Sequence, residues 1–181
     1  MSVDPSVLPP ASTALPAAPV AMPVAAAPHP KVSMRARLLV LLAGFATFVA
    51  ACASPALELT EPNGQTGALW GIWILAIGWM GVLIGQLGWF ANLVMVPALI
   101  ALLLRGWIIA IFLASLAVLV ALTTVELYTQ PIPANEALTA YSSLRQLLVG
   151  FYLWIASMAV ILVGSAWLWF RERAMRSPHA A

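Results

Sequence analysis

The feature that most constrains this chain is a stretch from Ala68 to Val125 in which Arg105 is the only charged residue. A bilayer-spanning helix needs about 20 consecutive apolar residues, and a soluble domain carries roughly 25% charged residues. Here 8% of the 181 residues are charged and 63% are hydrophobic. The sequence therefore predicts an integral membrane protein whose main surroundings are membrane lipids.

Hydropathy and charge suggest different numbers of membrane crossings. Hydropathy gives five apolar segments: 38–57, 68–86, 88–104, 107–127 and 147–170. Short cytoplasmic loops are enriched in Lys and Arg. The basic residues near both termini lie on the same side of the membrane as Arg105 only if 68–104 crosses the membrane once. We therefore predict an all-α integral membrane helical bundle with four crossings, one embedded or re-entrant helix within 68–88, and both termini in the cytoplasm. Five transmembrane helices are the alternative.

Composition divides the chain into three regions. Residues 1–33 contain eight prolines and are predicted to form a disordered Pro/Ala-rich tail, because proline removes backbone donors and the segment buries little apolar surface. Residues 34–171 form the predicted transmembrane helical domain, and residues 172–181 form a basic C-terminal tail. Within the domain, 58–67 is predicted to be a polar loop and 135–146 a short amphipathic turn.

Glycines recur at heptad spacing between the first and third apolar segments. They are Gly67, Gly71, Gly78, Gly81, Gly85 and Gly88. On a helix these positions share one face, and small residues let membrane helices approach closely. The stripe predicts that 67–88 is helical and pressed against another helix, which belongs either to this chain or to a partner.

Two further positions in the apolar stretch are candidates for a helix break. Asn92 and Pro97 could open a helix and free backbone carbonyls, as in the broken helices of transporters. The alternative is that Pro97 only kinks a helix of an ordinary bundle.

Cys52 is a candidate lipidation site. A short basic region at 34–37, an apolar core and the sequence Val49-Ala50-Ala51-Cys52 are typical of a lipoprotein signal. In that case Met34 is the start and the residues before Cys52 are removed. The alternative is an uncleaved spanning helix that contains a membrane-buried cysteine.

Residues that carry chemistry are sparse. The apolar segments contain almost no ionisable residues, which usually mark ion paths and active sites in membranes. We find no pair of residues at metal-ligand spacing and no nucleophile with a base close in sequence. We therefore assign no catalytic, cofactor-binding or metal-ligating residue and predict that the chain is not an enzyme. The net charge of +2 is too small for a nucleic-acid-binding surface.

Three short motifs lie in and beside the apolar segments. They are Trp89-Phe90-Ala91-Asn92, Ile132-Pro133-Ala134-Asn135-Glu136 and Tyr152-Leu153-Trp154-Ile155-Ala156-Ser157-Met158. Over about Leu38 to Phe170 the chain resembles a group of small, uncharacterised bacterial multi-span proteins. In that group proline usually follows the asparagine of the first motif, whereas Leu93 follows it here, so a turn at this point is not implied. The resemblance implies a bacterial inner-membrane location and no particular activity.

The glycine stripe, the lack of buried charge and the proline-rich tail together favour an accessory, assembly or interaction subunit. Its expected partners are membrane lipids and either a second copy of the chain or another membrane protein. One alternative is a small carrier or permeability factor for a neutral or apolar solute. The other is a lipid-anchored membrane protein processed at Cys52.

Overall fold

The computed structural model of the chain describes residues 32–133 and 139–176. The α-helices are α1 (Met34–Cys52), α2 (Gly71–Ile77), α3 (Ala91–Leu103), α4 (Trp107–Leu122) and α5 (Val149–Arg176). Short 3₁₀ helices cover Gly78–Ile84, Gly88–Phe90 and Thr123–Tyr128. The strands are β1 (Pro55–Thr60), β2 (Thr66–Trp70), β3 (Ile132–Pro133) and β4 (Tyr141–Leu147). The described part is thus mostly helical, as predicted.

Three helices of the described part are long and apolar enough to cross a membrane. They are Met34–Cys52, Trp107–Tyr128 and Val149–Arg176, where the second includes the 3₁₀ helix that follows α4. Gly71–Ile84 and Gly88–Leu103 are apolar but shorter. The apolar segments predicted at 38–57, 107–127 and 147–170 therefore correspond to helices of membrane-spanning length.

The prediction of an all-α fold is wrong, because four strands form an antiparallel sheet in the order β2-β1-β4-β3. The predicted loop 58–67 covers the turn of the β1–β2 hairpin and part of each strand, and β4 overlaps the predicted amphipathic turn 135–146. Leu57 of β1 and Leu144 of β4 are buried against Leu127, so one face of the sheet joins the protein interior. Residues 134–138 lie outside the described part.

The helices pack through small residues. α1 crosses α5 at two glycines: a Cβ on Gly44 would lie 2.6 Å from Ile161 Cδ1, and one on Gly164 would lie 2.3 Å from Val40 Cγ1. α4 packs against α3 and α5 through four fully buried alanines, Ala110, Ala114, Ala117 and Ala121. Side chains this small allow close backbone approach where lipid gives no hydrophobic drive for helix pairing.

The prediction of one continuous helix over 67–88 is also wrong. Gly67 lies in β2, Gly71 begins α2, Gly78 begins a 3₁₀ helix, and the left-handed Gly85 (φ 81°) follows that helix. Each glycine disfavours a helix by about 1 kcal/mol relative to alanine. The heptad spacing would place the glycines on one face only if the segment were helical, and glycine itself does not favour a helix.

The two ends of the bundle differ in charge. At one end Arg105 pairs with Glu172 of α5 and the Arg37 guanidinium donates to the Leu103 carbonyl. Arg105 therefore lies at the same end as the start of α1 and the end of α5, as the charge pattern predicted. We call this the basic end and the opposite end, which carries the strands, the sheet end.

The predicted tails fall mostly beyond the described residues. Residues 1–31 and 177–181 lie outside them. Val32 is buried, and Ser33 caps α1 by accepting a hydrogen bond from the Ala36 N–H. At the other end α5 continues through the start of the predicted C-terminal tail to Arg176, and it buries Glu172.

Candidate functional site

A cavity of about 830 Å³ lies at the sheet end. It is enclosed by β1, the C-terminal end of α1, α2 with the following 3₁₀ helix, and the first turns of α3 and α5. Volumes of roughly 300–1,000 Å³ are usual for sites that hold a small organic molecule. We call it the sheet-end cavity.

Most of the residues singled out in the sequence meet at this cavity. Its wall includes Cys52, Gly71, Gly78, Gly81, Gly88 and Asn92. Gly67, Gly85 and Pro97 do not line it. The sequence pattern thus marked the region of the cavity, although it predicted helix packing and a helix break rather than a cavity.

The glycines of the wall bring backbone close to neighbouring groups. A Cβ on Gly71 would lie 2.3 Å from the Ala51 carbonyl oxygen, and one on Gly88 would lie 2.1 Å from Thr124 Oγ1. At Gly78 a Cβ would meet the indole ring of Trp89 at 2.6 Å. These distances exclude larger side chains, so the glycines fix how the 71–90 segment folds over the end of the bundle.

Hydrogen bonds from two tryptophans and Asn92 hold the wall together. The Trp89 indole N–H donates to the Leu75 carbonyl at 3.0 Å. The Asn92 amide donates to the Trp89 carbonyl and accepts from the Trp154 indole N–H, both at 2.9 Å. Asn92 therefore joins α3 to α5 instead of opening a helix. α3 continues through Pro97, and the break in the apolar stretch lies before Ala91.

Gln86 supplies a buried amide on the same wall. It is 7% exposed, and its Nε2 donates to Gln130 Oε1 at 2.6 Å. Neither Gln86 nor Gln130 was among the site residues predicted from the sequence. A polar residue inside an apolar stretch is the signal that pointed to this site, since a buried amide needs a partner.

The lining of the cavity carries no Asp, Glu, Lys, Arg or His among the residues that the structure describes. An ion in such a site would lose its hydration without gaining an opposite charge, which is very unfavourable. Within 32–133 and 139–176, no three His, Cys, Asp or Glu side chains are grouped to hold a metal. The arrangement is suited to holding an uncharged, mainly apolar molecule.

Cys52 is the last residue of α1 and has a free, partly exposed thiol. Processing at this residue would remove α1 from its packing along α5. Lipidation at Cys52 stays a prediction, which mass spectrometry of the N-terminus tests: a chain that retains the residues before Cys52 contradicts it.

The basic end contains a buried carboxylate that the sequence analysis did not single out. Glu172 pairs with Arg105 at 2.7 Å and with Arg176 one turn later, and it accepts the Trp107 indole N–H at 2.6 Å. Arg105 has a left-handed backbone (φ 65°), which is unfavourable for a side chain of this kind. Left-handed positions are usually occupied by glycine, and the ion pair with Glu172 explains why arginine occupies this one.

Comparisons of the chain with family models, with curated proteins and with solved structures found no match. The resemblance to the bacterial multi-span group therefore stays a prediction.

Proposed function

We propose that the chain crosses a bacterial inner membrane four times, with the basic end in the cytoplasm and 71–90 embedded near the opposite surface. Clustered arginines at one end support this orientation. The second of the four proposed crossings, Gly88–Leu103, is shorter than the other three, which local bilayer thinning accommodates. The irregular backbone of 71–90 is compatible with membrane depth where protein covers it.

Cysteine labelling in intact cells tests the orientation. In a Cys52→Ala background, Asn63→Cys in the β1–β2 turn is expected to react with a membrane-impermeant maleimide. Ala174→Cys near the end of α5 is expected to react only after the cells are opened. The reverse pattern, or equal labelling of both positions, contradicts the proposal.

We further propose that the chain binds an apolar or neutral molecule in the sheet-end cavity, as a small carrier or permeability factor would. The observation that carries this proposal is the uncharged cavity of about 830 Å³. A well-formed, mainly apolar pocket with a few polar groups is the usual place for a small molecule to bind.

A pair of variants on one 3₁₀ helix tests the binding. Ile84 lines the cavity, whereas Val82, two residues earlier, is exposed and does not. Protein purified in mild detergent is expected to retain about one apolar molecule per chain, detected by mass spectrometry of an organic extract. Ile84→Trp should lose most of it, and Val82→Trp should keep it. Equal retention by all three proteins would place the molecule elsewhere.

An accessory or interaction subunit is the second candidate function. The observation that favours it is strand β2, which lies at the edge of the sheet and has no second strand partner within the described residues. An edge strand offers backbone groups to a strand of another chain. Purification from native membranes tests it: a stoichiometric partner or a second copy is expected, and a monomer under all mild conditions contradicts it.

A further inference from the structure

The sheet-end cavity has few polar side chains, and they differ in how many hydrogen bonds they make to other protein groups. Asn92 uses both ends of its amide for protein hydrogen bonds. Gln86 uses only its nitrogen, because no donor among residues 32–133 and 139–176 bonds to its Oε1. Gln86 as a whole residue is 7% exposed, but its Oε1 is not one of the fully buried atoms that lack a partner, so this atom is still accessible. The wall therefore offers a hydrogen-bond acceptor that protein groups of the described part leave free.

Thr124 adds another polar side chain to the lining of the cavity. Thr124 Oγ1 rests against Gly88, two residues after Gln86, and both Thr124 and Gln86 line the cavity. The rest of the wall is dominated by Leu, Ile, Phe and Trp side chains. The cavity thus combines a few polar side chains with a large apolar remainder, which matches a molecule with a small polar head and an apolar body.

The cavity is bordered by side chains that face outward. Ile77, Met80 and Leu83 line it and are 51%, 48% and 77% exposed. In a membrane protein these exposed apolar side chains meet lipid rather than water. A molecule dissolved in the bilayer can therefore reach the cavity sideways, past the 3₁₀ helix Gly78–Ile84, without crossing an aqueous phase.

We propose that the sheet-end cavity selects an uncharged single-chain lipid whose head donates a hydrogen bond to Gln86 Oε1, for which a monoacylglycerol is the simplest example. The inference rests on the proposed binding function and deepens it. The apolar wall takes the acyl chain, Gln86 Oε1 accepts a hydrogen bond from a hydroxyl of the head, and the absence of a basic residue from the described lining excludes an anionic head.

Three photoreactive probes with the same diazirine-bearing acyl chain test the proposal on the purified full chain in detergent. One is a monoacylglycerol, one a methyl ester without a donor, and one a free carboxylate. We expect the monoacylglycerol to crosslink to 71–92 about five-fold more than the ester, which lacks one hydrogen bond. The carboxylate should crosslink to less than about one-tenth of the monoacylglycerol level.

Two isosteric variants separate the acceptor from its structural partner. Gln86→Leu removes the acceptor together with the bond to Gln130. Gln130→Leu removes the same bond but leaves Gln86 on the wall, and Gln130 does not line the cavity. The proposal requires Gln86→Leu to abolish the preference for the monoacylglycerol over the ester and Gln130→Leu to preserve it. If both variants lose the preference equally, the role of Gln86 is structural and the proposal is overturned.

The outcomes distinguish the proposed binding function from the proposed choice of ligand head. If none of the probes crosslinks to 71–92, the proposed binding function itself fails. If the ester crosslinks as strongly as the monoacylglycerol, the cavity binds apolar molecules but the hydrogen-bonded head is wrong. If the carboxylate matches the monoacylglycerol, selection against charge is wrong.

Discussion

The basic end and the sheet end of the bundle differ in how tightly their side chains fill the space between the helices. At the basic end Trp107, Leu102 and Leu168 are buried around the helix termini, and Glu172 is buried with its arginine partners. At the sheet end a broken segment and four strands cover the helices and leave about 830 Å³ between them. At the basic end, regular helices with alanine contacts leave little space between them. At the sheet end, the irregular, glycine-rich backbone leaves a cavity.

The difference shows that alanine and glycine are not interchangeable as small residues. Both allow close approach, but alanine favours a helix and glycine disfavours it. The buried alanines of α4 lie on one uninterrupted helix, while the glycines between Gly67 and Gly88 are distributed over a strand, α2, two 3₁₀ helices and a turn. The basic end should therefore depend on charge and packing, and the sheet end on backbone geometry.

The largest expected effect is at the basic end. Glu172→Ala leaves two arginines and the Trp107 indole without their buried acceptor, so unfolding in SDS titration should become easier by about 3 kcal/mol. The ion pair Arg145–Glu58 at the sheet end is more exposed and provides the control. Glu58→Ala should cost less than about 1 kcal/mol. Equal losses of stability in the two variants would contradict a larger role for the buried ion pair at the basic end.

The next effect tests the glycines of the sheet end. Gly71→Ala places a Cβ 2.3 Å from the Ala51 carbonyl, whereas the nearest atom to a Cβ on Gly67 is Glu61 Oε1 at 3.6 Å. The first variant should lose about 2 kcal/mol in the same titration, and Gly67→Ala should change stability by less than about 0.5 kcal/mol. A continuous glycine-faced helix would make the two variants similar, and that result would contradict the broken segment.

A smaller effect is expected at Gly85, where a substitution changes backbone strain without a steric clash. A Cβ on Gly85 would meet no atom within 4 Å, but the residue has φ 81°. Gly85→Ala should therefore cost about 1 kcal/mol through left-handed strain alone. Gly85→Asn should cost less, because asparagine tolerates this region. If both variants are neutral, the turn between the two 3₁₀ helices does not need its left-handed residue.

The smallest effect concerns α5 in the packed part of the bundle. Ser165 is fully buried, and its hydroxyl has no hydrogen-bond partner among the described residues, whereas Ser157 Oγ donates to the Trp154 carbonyl. Ser165→Ala should leave stability unchanged or raise it by up to about 1 kcal/mol, and Ser157→Ala should lower it by about 1 kcal/mol. Thermal unfolding followed by tryptophan fluorescence distinguishes the two. A clear loss for Ser165→Ala contradicts apolar packing at this position.

Length and hydropathy were sufficient to predict the long helices, because lipid requires continuous apolar runs. They did not predict the strands, since β1 and β2 are six and five residues long and such short runs have no distinct helical or strand periodicity. The hairpin forms because β1 also pairs with β4, with Glu58 opposite both Ala68 and Gln146. That partner lies far along the chain and leaves no local signal.

Several residues singled out in the sequence line the candidate site, but the cavity itself was not predicted. Glycine spacing and Asn92 indicated the right part of the chain, yet a cavity arises only when several elements meet. Gln86 and Gln130 are 44 residues apart, and Trp154 reaches Asn92 from α5. Likewise, Gly44 and Gly164 show no shared pattern in sequence, although α1 and α5 cross at them.

The packing of α1 along α5 has a consequence for how the chain assembles. α1 precedes α5 by almost 100 residues, so the contacts of Gly44 with Ile161 and of Val40 with Gly164 form only after the residues beyond Val149 have been made. The strands repeat this order, because β1 must wait for β4. Closure of the bundle is therefore a late, long-range step, which is intrinsically slow.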